Sequence, residues 1–316
     1  MCPRERSGQP RGNFRRAGRR PPSANRLFGG DLIATVLDGI VLGLQFGLLA
    51  AGLTLIYGLG GALNLAYGQM AVMSAMVVLF AMDAGVPALP AVGLGLLTGA
   101  LLGLVLDLTI FRPVYRRQGE ARVLLSLLLT LGLAFVVDGF LTWRIPFRGL
   151  TLNIGGGPID ILGVPMRRGS LLASAITILA FALLFAFFRT TALGRAVRSV
   201  IEDEQGARLV GVDPRRMLRL ILIMSGFLAA IVAVTRAMVT PVTVTLGFEI
   251  TVFALIVTVV GGLGSFPGAL LAGVILGIVN SIAASYIGTF LSLIILLAAA
   301  GITILLRPSG LLGVRE

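Results

Sequence analysis

The feature that most constrains this chain is the recurrence of apolar runs long enough to cross a bilayer. A hydrocarbon core about 30 Å thick takes about 20 helical residues. Runs of that grade fall near 32–57, 65–84, 88–110, 122–143, 170–188, 217–239, 250–264, 268–287 and 289–306. Inside lipid every backbone N–H and C=O must be paired within the protein, and helices do this segment by segment. The expected fold class is therefore all-α, a polytopic transmembrane helix bundle of about eight to nine spans. The glycine-rich stretches at 59–69 and 261–268 read as breaks inside helices.

Composition removes several chemistries. Of 316 residues 57% are hydrophobic and 13% charged, and mean hydropathy is +0.99. All 26 basic residues are arginine, with no lysine and no histidine. That excludes a Schiff-base lysine, a P-loop lysine and imidazole metal ligands. The single cysteine, Cys2, lies in a polar tail, so neither a disulfide framework nor a thiolate metal cluster is expected. No metal, cofactor or catalytic residue is assigned.

Arginine placement sets the orientation. Loops 112–122 and 189–219, with the C-terminus, carry 13 arginines, and 144–169 with Arg236 carries five. The first group is read as cytoplasmic, and the net charge of +12 as topology, not nucleic-acid binding. Residues 1–26 hold eight arginines among prolines and small polar residues. They are expected to be a disordered, dispensable tail ahead of a transmembrane domain at 27–316. Three spans precede Arg112, which places the tail outside, against the arginine rule. Two resolutions stay open: a re-entrant early segment, or an extension upstream of the working protein.

Two segments interrupt the apolar sequence, GLGGALNLAYGQ (Gly58 to Gln69) and GGLGSFPGALLAG (Gly261 to Gly273). Glycine-broken segments in corresponding places of two halves point to a translocation path. Asn64, Ala66, Tyr67, Gly68 and Gln69, with Gly261, Gly262 and Gly264, are the candidate path residues. Close helix packing through small residues is the competing reading, and for the glycines of the second segment it is the stronger one. Three acids sit in or near spans. Asp107 is expected to pair with Arg112 and Asp138 with Arg144; Asp38 has no evident partner.

The polar stretch 189–219 has cap signals that a bare linker does not need. Thr190 or Thr191 can cap a helix start. Leu193, Ala196, Val197, Val200 and Ile201 follow at helical spacing, with Arg195, Arg198 and Glu202 on the other face. Asp203 can cap a second short helix, Gly211 can end it, and Asp213-Pro214 starts the next. Such a helix pair can transmit motion from a cytoplasmic engine. The chain has no G-x-x-x-x-G-K-[ST] run with which to be that engine.

Five segments in order carry a family resemblance: Gly52 to Met70, FRPVYR (Phe111 to Arg116), Leu193 to Asp213, Val259 to Gly277, and RPSGLLG (Arg307 to Gly313). Together they resemble the permease subunits of bacterial branched-chain amino-acid ABC transporters, over about residues 32 to 313. The resemblance implies a multi-pass subunit of the cytoplasmic (inner) membrane. It implies as partners a second permease subunit, two cytoplasmic ATPase subunits and an extracytoplasmic solute-binding protein. It also implies that Gly194, Arg195, Glu202, Asp203, Ala207 and Gly211, to which the helical face adds Arg198, form the ATPase coupling loop. Tyr67 and Gln69 depart from the histidine and glutamate of better-known members, leaving branched-chain amino acids, other amino acids, urea and amides open as substrates. Two other classes compete. A self-contained ion-coupled carrier needs buried ion-binding acids and no docking loop; an intramembrane enzyme needs a nucleophile–base pair that this sequence does not offer.

Overall fold

The computed structural model describes residues 24–312 apart from 147, 154, 156, 158, 162, 163, 308 and 309. Most of the arginine-rich tail therefore lies outside the described residues. Helix α1 (Ala24–Gly60) already includes residues 24–26. It is followed by α2 (Tyr67–Asp83), α3 (Ala88–Leu106), a π-helical turn (Asp107–Phe111) and the short α4 (Arg112–Val114). Next come α5 (Glu120–Arg144), α6 (Arg168–Thr190), α7 (Ala192–Glu202), α8 (Glu204–Leu209) and α9 (Pro214–Ala237). Helices α10 (Leu246–Gly261), α11 (Phe266–Tyr286) and α12 (Thr289–Leu306) complete the bundle. Among the described residues six segments are long and apolar enough to cross a membrane, and three shorter apolar helices accompany them.

Contacts at the helix ends fix their directions. The end of α1 at Gly60 meets Arg122 and Tyr115. The end of α2, Asp83, pairs with Arg148 at 2.8 Å. Asp107, at the end of α3, pairs with Arg219. Helices α1, α2 and α3 therefore alternate in direction, and no early helix turns back. The N-terminal end of α1 lies on the side opposite α7 and α8, as counting spans predicted.

Two short antiparallel ribbons, which the sequence did not announce, lie on that same opposite side. Strand β1 (Gly149–Leu150) pairs with β4 (Val242–Thr243), Gly149 opposite Thr243. Strand β2 (Ile159–Ile161) pairs with β3 (Val164–Met166).

The interior is built by close backbone approach. Gly39, Gly43 and Gly47 of α1 face Gly277, Gly273 and Ala269 of α11, running antiparallel. Gly99 and Gly103 of α3 face Gly226 and Leu222 of α9 in the same manner. Small residues four apart let helix axes approach and gain dispersion contact where lipid offers no hydrophobic drive. Helix pairs α1–α11 and α3–α9 are matched, and α2 meets α10. This is the pattern of two inverted repeats, α1–α3 and α9–α11, related by an axis in the membrane plane. In that frame the break at 61–66 corresponds to 238–245, and the turn at 262–265 to 84–87. The two glycine-rich segments of the sequence are thus not counterparts, although each interrupts a span. Helix α1 is central, with 83% of its most apolar stretch buried; α5 is peripheral, at 17%.

Candidate functional site

The first break enters the membrane as extended chain. Gly61 takes φ +55 and ends α1, and Arg122 Nη1 donates to the Gly60 carbonyl at 3.1 Å. Residues 61–66 then run beside α5. Irregular backbone at this depth needs protein partners, and side chains supply several of them. Leu63 N–H donates to Ser126 Oγ at 3.1 Å and Leu65 N–H to Thr130 Oγ1 at 3.0 Å. Ala66 N–H donates to Asn64 Oδ1 at 3.0 Å, an Asx turn that starts α2. Gly68 N–H, one of the orphan donors of a helix start, reaches Thr251 Oγ1 at 2.9 Å.

The side chains of this segment are packed. Asn64 and Tyr67 are fully buried, and Gln69 nearly so. The Tyr67 hydroxyl donates to the Ser225 carbonyl at 2.9 Å, and its ring lies on Gly52. A Cβ on Gly68 would overlap the Gly247 carbonyl of α10. Gln69 Nε2 approaches Asp138 Oδ1 at 3.4 Å, while Gln69 Oε1 is buried with no partner. Asp138 thus meets Gln69, not Arg144. Asp107 pairs with Arg219 at 2.8 Å, not with Arg112; the π-helical turn that follows it alters the spacing towards Arg112.

Gly261, Gly262 and Gly264 sit elsewhere, at the end of the bundle that carries α7 and α8. Leu311 and Leu312 N–H donate to the Val260 and Gly261 carbonyls, and Gly264 lies against Gly58. Ser265 caps α11 through Gly268 N–H. Across a cleft of about 580 Å³, Gly264 to Pro267 face Arg198, Ile201 and Glu202 of α7. The second glycine segment therefore abuts the 189–219 loop, and the first does not share its contacts.

That loop folds as its cap signals predict. Thr191, and not Thr190, caps α7, accepting from Gly194 N–H at 2.9 Å. Gly194 lies against the Phe187 and Phe188 backbone, so a side chain there would block the turn from α6. Asp203 Oδ1 accepts from Gln205 N–H and starts α8. Gly211 stands at φ +85; Val212 N–H donates to Ala207 C=O and Gly211 N–H to Arg208 C=O. These two bonds are a Schellman stop. Asp213 Oδ1 then accepts from Arg215 N–H, with Pro214 first in α9.

Val197, Val200 and Ala207 point into the bundle and are buried. Arg195, Arg198, Glu202, Asp203 and Gly211 are exposed. The most exposed apolar side chains of the loop are Leu209 and Val210, at 89% and 76%; Arg208 precedes them, and with Arg215 it lines a pocket at Gly211 and Val212. Sequence reading passed over this pair. The signal was two large apolar residues just ahead of the glycine stop. Beside the loop, Tyr115 is titrationally suppressed: burial, then the Asp107 charge, raise its hydroxyl well above the usual tyrosine range, with Arg122 opposing.

A family model described as branched-chain amino acid transport system, permease component, matches residues 35–307. The chain is similar to the high-affinity branched-chain amino acid transport system permease protein LivH of Salmonella typhimurium. They are 26% identical over 293 residues, covering 88% of this chain and 94% of the relative. Its 25% identity to BraD, of the same description, from Pseudomonas aeruginosa covers the same shares. Among solved structures, PsaBC from Streptococcus pneumoniae in complex with Fab has a chain that superposes with TM-score 0.51 at 13% identity. The match covers 90% of this chain and 96% of that one, and shows likeness of fold.

Proposed function

From the premise that the chain belongs to the family of branched-chain amino acid transport system permease components, we propose that it is driven by ATP through separate subunits. It is an integral membrane transport component, and such a component works with others of its system. The proposed partners are a second permease subunit, two cytoplasmic ATPase subunits and an extracytoplasmic solute-binding protein. The proposed substrates are branched-chain amino acids, as the names of the relatives state for them.

One observation carries the ATP-driven reading: the α7–α8 knob with Leu209 and Val210 presented to solvent. A mere connection has no reason to hold large apolar groups outward on a capped, glycine-stopped turn. Exposed apolar groups on an arginine-rich loop supply the core and rim of a docking surface. On this reading Arg195, Arg198, Arg208, Arg215 and Arg216 face acidic groups on an ATPase subunit. Glu202 and Gly264 to Pro267 share the cleft behind α7, so movement of the knob would reach the turn between α10 and α11. Asn64, Tyr67 and Gln69 are proposed to border the path in another state of the cycle. The support is a chain segment held by side-chain hydroxyls, which can exchange partners, and the unpartnered Gln69 Oε1.

The test is co-purification. The double variant Leu209→Asp, Val210→Asp should insert normally, since both side chains are in water, yet lose the ATPase subunits. Full retention of ATPase association and coupled transport would return the loop to a solvated connection. An ion-coupled carrier would be indifferent to both changes.

A further inference from the structure

On the side opposite the knob, a cavity of about 530 Å³ opens between α1, α6, α9 and α11. That volume falls in the range of small-molecule sites. One face of α1 lines it with Asp38, Val41, Leu42 and Gln45, four positions at helical spacing. Met166, Arg167 and Arg236 complete the lining that matters here.

Two buried donors in this wall have no acceptor. Gln45 is 1% exposed and its Nε2 is unpartnered; Arg236 Nε is likewise buried without a partner. The Arg236 guanidinium rests on the Phe46 ring, 5.6 Å from its centroid. Among the described residues no carboxylate stands within ion-pair distance of it. Buried donors of this kind require an explanation, because leaving them unmade costs more than a bond contributes. Asp38, exposed to the cavity, brings the opposite charge, with Arg167 also in the lining. Between the two poles α1 presents Val41 and Leu42, with Met166 and Val239 beside them, while Ser170, Thr240 and Ser281 add hydroxyls to the lining.

We propose that this cavity is an amino-acid site within the subunit: Arg236 and Gln45 take the α-carboxylate, Asp38 takes the α-ammonium, and Val41, Leu42 and Met166 receive the branched side chain. The inference rests on the amino-acid reading of function given above. It assigns a role to the one intramembrane acid that the sequence left without a partner.

The test uses the full-length chain in lipid nanodiscs and radiolabelled L-leucine. Two probes each lack one charge: 3-methylbutylamine has no carboxylate and 4-methylpentanoate has no ammonium. Saturable leucine binding is expected, with each probe competing about ten-fold or more weakly, the factor for one charge-assisted bond. Asp38→Asn should weaken leucine about ten-fold and leave 4-methylpentanoate unchanged. Gln45→Met should weaken 4-methylpentanoate and spare the amine, which separates a lost contact from a lost fold. Absence of saturable leucine binding, or indifference to both charges, would mean a hydrated cavity only and overturn the site. Uptake by the system assembled with its partners separates the two claims. Wild-type leucine uptake with an unchanged KM in Asp38→Asn sinks the site and leaves the transport reading standing. Absence of leucine uptake by the wild-type assembly sinks the transport reading itself.

Discussion

At the scale of single residues, the account rests on who satisfies the backbone at 61–66. Ser126 and Thr130 each give a hydroxyl to an N–H that has no helix to belong to. Replacing both, as Ser126→Ala with Thr130→Val, leaves Leu63 and Leu65 N–H unpaired inside the bundle. Each unpaired group costs about 1–3 kcal/mol. The double variant should melt well below the wild type in detergent, while a single change at Thr98, whose hydroxyl only bonds back to Leu94 C=O within α3, should not; equal melting temperatures would remove these bonds from the account. Tyr67→Phe is milder. It deletes one bond to the Ser225 carbonyl and keeps the ring on Gly52, so a loss of about 0.5–1.5 kcal/mol is expected. Sequence alone marked Asn64, Tyr67 and Gln69 as polar groups beside a break. It did not show that Asn64 closes a turn on Ala66 N–H ahead of α2, nor that Tyr67 reaches α9, because both partners are distant or set by the turn itself.

At the scale of elements, the cytoplasmic loop was the most legible part of the chain. Local chemistry makes it so: Thr191, Asp203, Gly211 and Asp213-Pro214 act within a few residues of themselves. Which face of α7 turns inward depends on the bundle, and there the apolar stripe was informative only in part. Val197 and Val200 are buried, while Leu193 and Ile201 remain exposed. Asp107 shows the limit from the other direction. Its neighbour Arg112 is five residues on, but its partner Arg219 comes from another repeat. Gly211→Val gives the prediction at this scale. A β-branched residue at φ +85 is strained by about 1 kcal/mol or more, which unseats Val212 and reorients Leu209 and Val210. Membrane insertion should persist, and substrate-stimulated ATP hydrolysis by the assembled system should fall. Gly211→Asn, which tolerates this conformation better, should recover much of it; no difference between the two variants would show that the stop is unimportant.

At the scale of the whole molecule, helix existence and order were readable because lipid imposes one length and one pattern on every span. Pairing was not, since α1–α11 and α3–α9 join segments far apart in sequence and leave only glycine spacing as a trace. The central claim is that the bundle is a permease without an engine, moved through its cytoplasmic knob. Leucine accumulation in proteoliposomes tests it most directly, with the chain either alone under an imposed proton or sodium gradient, or assembled with its partner permease, ATPases and binding protein. The expected result is accumulation only in the assembled system and only with ATP on the knob side. Gradient-driven accumulation by the chain alone would contradict it.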